Sequence, residues 1–312
     1  MPDVDVVIVN YRSAAYTAAC VAAANAVAAA DGVDVDVVVV NNGDPPEDLE
    51  ARVAAQGRAR VMHNAGNLGF GAACNIGAAR GRARLILFLN PDALLKAGYF
   101  KAATTFMDDP SHADVGILGP AIENENGAVT RTCSPLPGMA ALIARSLGLT
   151  QGFLSARAHA TSRRVGQVMG AVLMIRRDLF EELGGFDTRY FLYYEDVDLC
   201  ARAAARGAAS YHFTGAHAMH VGRVSSSHDS GMALALFLRS RLTYARLHFG
   251  AAAQAILVAV SFVAEMPLRL LRTLAGGKSI TGRAVLRAYR LLAMSLFSGA
   301  SVIEVAARRD GT

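Results

Sequence analysis

Hydrophobic, strand-like runs alternate with helix-like runs in the first half of the chain, and this alternation restricts the fold more than any other feature. Val4–Asn10 and Val35–Asn41 are rich in valine and frame an alanine-rich stretch of helical length. Residues 85–90 are a further run, made almost wholly of Leu, Ile and Phe. Uninterrupted apolar strands are typical of a parallel sheet covered on both faces. We therefore predict an α/β fold built from strand–helix–strand units.

The pattern changes at about residue 230. Up to that point we predict one α/β domain, with the regular alternation in residues 1–120 and shorter strands in 121–230. Residues 231–312 are predicted to be helical only. The further predicted elements are strands over 61–63 and 170–175, helices over 67–81, 177–183, 195–207, 232–249, 251–274 and 282–307, and a long mobile loop over 133–167.

Composition narrows the class of protein. A hydrophobic content of 53% and a charged content of 18% exclude a disordered chain. The net charge of +5 comes from scattered arginine, so we expect no nucleic-acid partner. The four cysteines have neither zinc-type spacing nor a paired motif, which predicts reduced core residues and, with no signal-peptide pattern, a cytoplasmic protein. They are Cys20, Cys74, Cys133 and Cys200.

The helical region 231–312 is both cationic and apolar. No acidic residue lies between Glu265 and Glu304, whereas six basic residues do. The nearly uncharged run 251–264 is too short to span a bilayer and suits a helix that lies in the membrane interface. A helix packed on the α/β domain explains the same pattern. We expect contact with an anionic membrane surface through 231–312 and keep packing as the alternative.

Polar residues follow the predicted strands at the point where each strand ends. They are Asn10-Tyr11, Asn41-Asn42-Gly43 and Asn90-Pro91-Asp92. Because ligands bind outside the carboxyl ends of parallel strands, these residues should lie at one crevice. Asp92 either caps a helix that starts near Leu94 or binds a divalent cation that bridges two phosphates. Mg²⁺ or Mn²⁺ suits the second interpretation, because both prefer carboxylate and phosphate oxygen.

A glycine-rich turn precedes the predicted helix over 67–81. It contains Gly66, Asn67, Gly69, Phe70 and Gly71, with Asn75 in the helix that follows. Such a turn lets the backbone approach a ligand closely, and plain packing is the alternative. The glycine fingerprint of dinucleotide-binding folds would instead follow the first strand, so an oxidoreductase is disfavoured.

Three carboxylates open the predicted helix over 195–207. They are Glu195, Asp196 and Asp198. Acidic residues in a first helical turn are ordinary helix-dipole chemistry, which is the alternative for any one of them. Asp196 and Asp198 diverge on a helix because they are two residues apart, so we expect one to face the site and the other to anchor the structure locally.

Two histidines and several arginines complete the candidates. His217 and His220 follow a short predicted strand, and either could join the ligands of a phosphate-bound cation. The arginines are candidates for contacts with phosphate or with an acceptor. They are Arg176, Arg177, Arg189 and Arg223.

Together these segments resemble the family 2 glycosyltransferases with the GT-A fold, in particular the bacterial rhamnosyltransferases. The resemblance covers about residues 4–230 and implies a mixed, mostly parallel central sheet with a helical C-terminal extension. Asn90-Pro91-Asp92 stands where other members carry an Asp-any-Asp motif, and Asn41-Asn42-Gly43 replaces their more usual Asp-Asn pair. The matching segments are residues 6–11, 67–71, 89–93, 170–177, 185–187 and 194–199, and His220 with Ser225.

The resemblance implies an inverting transfer of a sugar from a nucleotide to a hydroxyl group. Asp196 would be the catalytic base, with Glu195 and Asp198 in support. Asp92 and His220 would hold Mg²⁺ or Mn²⁺ at the donor diphosphate. The residues expected at the nucleotide sugar are Asn10, Tyr11, Asn41, Asn67, Gly69, Phe70, Asn75 and Asn90.

The resemblance also implies the substrates and the location. The donor would be dTDP-L-rhamnose and the acceptor a polyprenyl-linked saccharide or another glycan of the cell envelope, with the enzyme peripheral on the inner face of the cell membrane. A transferase for UDP-hexose or UDP-N-acetylhexosamine is the first alternative. A catalytically silent, nucleotide-binding membrane scaffold is the second, and the presence of Asp92, Asp196 and His220 in the expected order argues against it.

Overall fold

The computed structural model describes residues 1–43, 46–150, 154, 159–220, 229–274 and 280–310, without the side chains of 46, 47 and 308–310. The strands are β1 Val4–Asn10, β2 Val35–Asn41, β3 Arg60–His63, β4 Leu85–Leu89, β5 Ala93–Leu95, β6 Val115–Glu123, β7 Cys133–Ser134, β8 Arg163–Val165, β9 Gln167–Val168, β10 Val172–Arg176 and β11 Ala209–His220. The helices are α1 Ala14–Asp31, α2 Pro46–Ala54, α3 Phe70–Ala78, α4 Tyr99–Asp108, α5 Met139–Ser146, α6 Arg177–Glu182, α7 Glu195–Ala205, α8 Ser230–Val260, α9 Met266–Leu274, α10 Gly282–Ser298 and α11 Val302–Asp310, with a 3₁₀ turn at Pro110–His112 and a π-helical turn at Ser261–Glu265.

Nine strands of the described chain form one sheet. Their order is β3-β2-β1-β4-β10-β6-β11-β5, and β8 also pairs with β11. Strands β3, β2, β1 and β4 are parallel to one another, and β6 is parallel to β11. Strands β10, β5 and β8 run antiparallel to their partners. The expected mixed, mostly parallel sheet is therefore confirmed.

Two layers of helices cover this sheet, which explains why its central strands are largely apolar on both faces. Along β1, Val6 and Ile8 contribute to the core that contains residues of α1, α2 and α4. Val7 and Val9 point the other way and contribute to the core that contains residues of α3, α6 and α7. Helix α3 lies very close to the sheet, because a Cβ atom on its Gly77 would be 2.5 Å from Val7 Cγ1.

The predicted cysteine state and most strand positions agree with the structure. All four cysteines are free and buried. β1 and β2 have the bounds read from the sequence. Two strands beyond residue 115 are longer than predicted, since β6 has 9 residues and β11 has 12. A register irregularity between Phe213 and His217 interrupts the pairing of β11 with β6, and such an irregularity obscures the alternation in the sequence.

The long loop predicted over 133–167 is wrong for its described part. That part contains β7, α5 and β8, and β9 begins at residue 167. Prolines and glycines hid these short elements, which are too brief to establish a period. Residues 151–153 and 155–158 of the predicted loop lie outside the described residues.

Contacts between residues divide the chain into two units. The first contains residues 1–136, 153–188 and 195–225, and the second contains 137–152, 189–194 and 226–312. The second unit therefore includes α5 and the short segment before α7 as well as the C-terminal helices. The division at residue 230 into functional domains stays a prediction.

Helix α8 of the second unit bends at Gly250, whose φ of +89° lies outside the helical range, at the break predicted between 249 and 251. The single helix predicted over 282–307 is wrong. Gly299 ends α10 in the left-handed conformation. Ser301 then starts α11 in a capping box, because its backbone N–H donates to Glu304 (2.7 Å) and its hydroxyl accepts from the Glu304 N–H (3.2 Å).

A buried ion pair crosslinks the helices of the second unit. Arg241 of α8 donates to Glu265 at 3.2 Å and to the Ser261 hydroxyl at 2.9 Å. Arg269 of α9 donates to the same carboxylate at 2.7 Å. Arg241 and Glu265 are both fully buried, so this ion pair lies inside the unit.

Within the described residues, two helical segments are long and apolar enough to cross a membrane by length and composition alone. They are Ala14–Asp31 and Ser230–Leu274. The first is α1, whose Cys20, Val21 and Ala24 are buried against the sheet, as in a core helix of a soluble domain. Only 11% of the apolar window in the second is buried.

Candidate active site

The ends of β1 and β2 carry a buried network of amide side chains. Asn10 and Asn41 are register partners, and the Asn10 side-chain N–H donates to Asn41 Oδ1 at 3.2 Å. Asn10 Oδ1 accepts from the hydroxyls of Thr17 (2.7 Å) and Ser13 (3.2 Å). The Asn41 amide nitrogen lies 3.1 Å from His63 Nδ1. These two asparagines meet at the carboxyl ends of β1 and β2, where their hydrogen bonds fix the strand ends.

Tyr11 follows this network and lies against the loop after β2. A Cβ atom on Gly43 would be 2.9 Å from two carbons of the Tyr11 ring, so only glycine permits this approach. The Arg12 guanidinium lies 5.4 Å from the centre of the same ring. The ring is half-buried and remains partly accessible at the edge of the sheet.

Asn42, one of the strand-end residues expected at the crevice, is the centre of a second network whose contacts the sequence did not predict. Its side-chain N–H groups donate to Asn67 Oδ1 (2.9 Å) and to the Gly69 carbonyl (3.2 Å). Its Oδ1 accepts from the Leu68 N–H and from the Asn64 side chain, both at 3.0 Å. Asn64 follows β3 just as Asn10 ends β1, and that position was the signal available in the sequence.

The glycine-rich turn leads into α3 as predicted. Gly69 is the residue before the helix and has a φ of +89°, which favours glycine. Phe70 is half-buried and stands 6.2 Å from the Phe186 ring. Asn75 has a different role from the one expected, because its amide donates to the Phe186 carbonyl (2.8 Å) and accepts from the Phe186 N–H (2.9 Å). Both ends of this side chain are occupied in holding the turn before α7.

Residues 90–92 turn from β4 into β5. The Asn90 N–H donates to the Ala171 carbonyl at 2.8 Å, and its own carbonyl accepts from the Ala93 N–H at 3.0 Å. Residues 93–95 form a strand, and the next helix begins only at Tyr99. The interpretation of Asp92 as a helix cap is therefore wrong.

Asp92 instead contacts His220. β5 pairs with β11 so that Ala93 stands opposite His220. This register places Asp92 Oδ1 3.1 Å from His220 Nε2 and buries the carboxylate to 7% exposure. The two residues expected to share a cation thus lie together, although 128 positions separate them in the sequence.

This pair suits a hard divalent cation that also binds substrate phosphate. The described residues contain no group of three or more His, Cys, Asp or Glu that could hold a metal ion by itself. Mg²⁺ and related ions commonly take one or two carboxylates and complete their shell with phosphate oxygens and water. One carboxylate and one imidazole therefore fit a site that the diphosphate of a donor completes.

Asp196, at the start of α7, is linked to the same edge of the sheet. Its Oδ2 accepts the Gly170 N–H and its Oδ1 accepts the Val197 N–H, both at 2.8 Å. A Cβ atom on Gly170 would be 3.2 Å from Asp196 Cβ, so the glycine allows this close approach. Burial raises the pKa of Asp196, and the two backbone N–H donors oppose that rise.

Glu195 points into the core rather than beside Asp196. Its Cβ lies 3.6 Å from the position that a Cβ on Gly71 would take, and its Oε2 has no hydrogen-bond partner among the described residues. Burial, and then the charge of Asp196, raise the pKa of Glu195 well above its ordinary value. Burial therefore favours the neutral form of Glu195.

Asp198 anchors the structure. It accepts from Arg202 Nε at 2.6 Å, and the Arg202 guanidinium also donates to the carbonyls of Leu183 (2.9 Å) and Gly185 (3.0 Å). Asp196 and Asp198 diverge, as their spacing on a helix requires. Just before α7, Tyr193 and Tyr194 have φ values of +69° and +67°, which are rare for residues other than glycine.

The other basic candidates lie elsewhere. Arg176 ends β10 opposite Leu85, at the far end of β4 from Asn90, and it donates to the carbonyls of Val115 and Met107. Arg177 pairs with buried Asp5. The prediction that these two arginines contact phosphate is therefore wrong, because both lie at the opposite ends of the strands, where they stabilise the sheet.

The remaining candidates fall in three different places. His217 contacts Glu123 at 3.0 Å rather than Asp92, so it does not join the His220 pair. Arg189 belongs to the second unit. Arg223 and Ser225 lie in 221–228, outside the described residues.

Polar side chains lie at the carboxyl ends of the parallel strands, together with a carboxylate–imidazole pair and the partly exposed Asp196, which is the place where open α/β sheets bind their ligands. Residues 2–242, more than half of the chain, match the family described as "Glycosyltransferase like family 2". The chain belongs to that family and is a glycosyltransferase.

Two relatives of the chain are rhamnosyltransferases. The chain is 30% identical over 226 residues to the N-acetylglucosaminyl-diphospho-decaprenol L-rhamnosyltransferase of Mycobacterium tuberculosis, covering 66% of this chain and 73% of that protein. It is 23% identical over 161 residues to a rhamnosyltransferase of Escherichia coli K12, covering 51% and 60% of the two chains.

The fold agrees with a solved glycosyltransferase. The mannosyltransferase of Pyrobaculum calidifontis, solved with GDP-Man and Mn²⁺, superposes with a TM-score of 0.53 at 16% identity, covering 95% of this chain and 81% of that one. At this identity the likeness concerns the fold, and it confirms the GT-A architecture.

Replacing Glu195 by Gln tests the neutral state of this buried carboxyl. A carboxyl whose pKa is raised on folding costs stability as the pH rises from its unfolded value, about 4.3, towards its folded value, because the unfolded chain releases the proton first. Glu195→Gln removes that cost. Both proteins are melted at several pH values and followed by circular dichroism. We expect the difference in Tm, variant minus unchanged protein, to become larger as the pH rises from about 5 to about 8.

The matched control is Glu182→Gln, since Glu182 is exposed on α6. Its Tm difference should stay constant over the same pH range. A constant difference for Glu195→Gln as well would mean that Glu195 is ionised in the folded protein.

Proposed function

We propose that this glycosyltransferase is an inverting, metal-dependent rhamnosyltransferase that moves L-rhamnose from dTDP-L-rhamnose to a hydroxyl of a polyprenyl-linked saccharide. One observation carries the proposed chemistry. Asp196 accepts the N–H of Gly170, whose neighbour Ala171 accepts the N–H of Asn90, two residues before Asp92. The candidate base and the candidate diphosphate site are thus adjacent within the first unit.

Asp196 would act as the general base. Its carboxylate takes the proton of the acceptor hydroxyl while that oxygen bonds to the anomeric carbon of the sugar, and the bond to the nucleoside diphosphate breaks. The N–H donors of Gly170 and Val197 hold the carboxylate in place. Its raised pKa suits a base, because a stronger base accepts the proton more readily.

Asp92 and His220 would hold Mg²⁺ or Mn²⁺, which when bound supplies positive charge to the diphosphate oxygens. Asp92 Oδ1 and His220 Nε2 lie 3.1 Å apart, close enough for both side chains to bind the same ion. The Pyrobaculum mannosyltransferase was solved in complex with Mn²⁺, which is consistent with such an ion. Asn90 supports the turn that carries Asp92.

The nucleotide part of the donor would lie at the ends of β1 and β2. The half-buried Tyr11 ring offers a stacking surface, and the turn formed by Asn67, Gly69 and Phe70 offers backbone groups at the start of α3. Asn10 and Asn41 would shape this subsite by fixing the strand ends. Asn75 is left out of it, since its amide is fully engaged with Phe186.

The choice of substrates is supported by the relatives. The mycobacterial protein transfers L-rhamnose to an N-acetylglucosaminyl-diphospho-decaprenol. An acceptor of that chemistry is anchored in a membrane, so we place the reaction at the inner face of the cell membrane, in synthesis of a cell-envelope polysaccharide.

A screen of donors tests the substrate assignment. The full chain is incubated with an N-acetylglucosaminyl-diphospho-polyprenol and with dTDP-L-rhamnose, UDP-glucose or UDP-N-acetylglucosamine in turn, and products are followed by mass spectrometry. We expect a mass gain of one deoxyhexose with dTDP-L-rhamnose only. Transfer from a UDP-sugar without transfer from dTDP-L-rhamnose would establish the alternative hexosyl or N-acetylhexosaminyl activity.

Asp196→Asn tests the base. We expect kcat to fall by roughly 10²- to 10⁴-fold, because a positioned general base contributes that much, while donor binding by calorimetry stays near normal. The control is Asp48→Asn, which removes an exposed carboxylate from α2. Near-normal turnover of Asp196→Asn would transfer the role of base to another residue.

Removal of the cation tests the role of Asp92 and His220. EDTA should abolish transfer, and added Mn²⁺ should restore it. His220→Gln should weaken Mn²⁺-dependent dTDP binding in calorimetry, since it removes one of two expected protein ligands. His217→Gln is the matched control, because His217 lies on the same strand but contacts Glu123. Full activity in EDTA would exclude metal dependence.

A further inference from the structure

The helix that follows Gly250 carries its apolar residues outward. Val263 is 78% exposed and Leu274 is 83% exposed, and Ile256 and Leu271 are also exposed. These residues recur at helical spacing along 251–274. The exposed residue between Ile256 and Val263 is the small Ala259. A surface helix of a soluble domain shows the opposite pattern, because its apolar stripe faces the core.

The inward face of the same helix is polar. Ser261 and Glu265 are fully buried, and Glu265 is the partner of buried Arg241. Leu257 is buried on the same side. The outward apolar face is therefore not an accident of an all-apolar helix, since Ser261 and Glu265 are directed away from it.

Helix α10 carries a second exposed face, on which arginine alternates with large apolar residues. Phe297 is 92% exposed, and Leu286 and Met294 are exposed as well. Arg283 and Arg290 are exposed along the same line, because all five residues are separated by three or four positions. Val285, Ala288 and Leu292 fill the buried side of the helix.

The charge of this surface is of one sign. No acidic residue lies in residues 266–303. Arg287 of α10 pairs with Asp229, whereas Arg283 and Arg290 have no acidic partner among the described residues. Exposed arginine beside exposed Leu, Met and Phe is typical of a helix that lies in a membrane interface, with its apolar side chains in the acyl boundary and its cations at anionic headgroups.

We propose that the exposed faces of 251–274 and α10 form a docking surface for an anionic lipid bilayer. This surface deepens the proposed function, on which it rests only for the membrane location of the acceptor. Val263, Leu286 and Phe297 insert at the headgroup boundary, and Arg283 and Arg290 bind lipid phosphate. The occupant is a lipid surface rather than a second copy of the chain, because a twofold pairing of this face would bring like charges together.

Vesicle flotation of the full chain tests the surface. The unchanged protein should float with phosphatidylcholine vesicles that contain phosphatidylglycerol, and weakly with phosphatidylcholine alone. Arg283→Glu/Arg290→Glu should lower the affinity for the anionic vesicles by at least about 25-fold, at about fivefold for each arginine lost. Leu286→Ser/Phe297→Ser should also release the protein, because it removes apolar area that enters the bilayer.

Matched controls come from the first unit. Arg58→Glu/Arg82→Glu reverses two exposed arginines there, and Val129→Ser removes an exposed apolar residue. Both should float like the unchanged protein. Melting curves of every variant show whether it is folded.

Several results would overturn the proposal. One is absence of flotation with anionic vesicles; another is equal loss in the control and test variants. Retention in the membrane after alkaline carbonate extraction would indicate a spanning helix instead. If light scattering shows a dimer that Leu286→Ser/Phe297→Ser dissociates without affecting flotation, the surface binds a second copy.

The assay separates this surface from the transfer reaction. In detergent, where no bilayer is present, Arg283→Glu/Arg290→Glu should transfer sugar like the unchanged protein. Intact flotation with no transfer from any donor would reject the proposed function and leave the docking surface standing. Normal transfer with no flotation would do the reverse.

Discussion

The candidate site depends on one pairing, that of β10 antiparallel to β4. The register places Val172 opposite Leu89, so the residues just before β10 meet the residues just after β4. In a wholly parallel sheet the segment preceding a strand would lie at the opposite edge. Because β10 is reversed, Gly170 and Ala171 reach the carboxyl edge, where Ala171 binds Asn90 and Gly170 binds Asp196. The acid on α7 is thereby joined to the turn that carries Asp92.

Three neighbouring carboxylates then lie in three different surroundings. Glu195 has an oxygen without a partner among the described residues, and burial raises its pKa well above its ordinary value. Burial also raises the pKa of Asp196, and its two backbone N–H donors oppose that rise. Asp198 forms an ion pair with Arg202. Only Asp196 combines partial exposure with a position at the sheet edge.

The sequence predicted those parts of the fold that local pattern determines. The valine runs of β1 and β2 and the glycine at residue 250 specify strand bounds and a helix break through backbone preference alone. The sequence could not decide whether Asp92 caps a helix, because Ala93, Leu94 and Leu95 suit a strand or a helix equally. Only their pairing with β11 makes them a strand. The Asn42 network was missed for the same reason. Its members come from the ends of two strands and from the turn before α3, and their contacts follow from sheet order rather than from spacing.

The two units differ in where they place their polar groups, and this difference has an energetic consequence. In the first unit the sheet is apolar on both faces and its polar side chains collect at the strand ends. In the second, Arg241 and Glu265 are inside while Val263 and Phe297 are outside. A buried ion pair gains little net stability over apolar packing, and exposed large apolar side chains forgo the gain from burial. An aqueous environment does not favour such an arrangement. A lipid bilayer favours outward apolar side chains, and the arginines of α10 indicate that its surface is negatively charged.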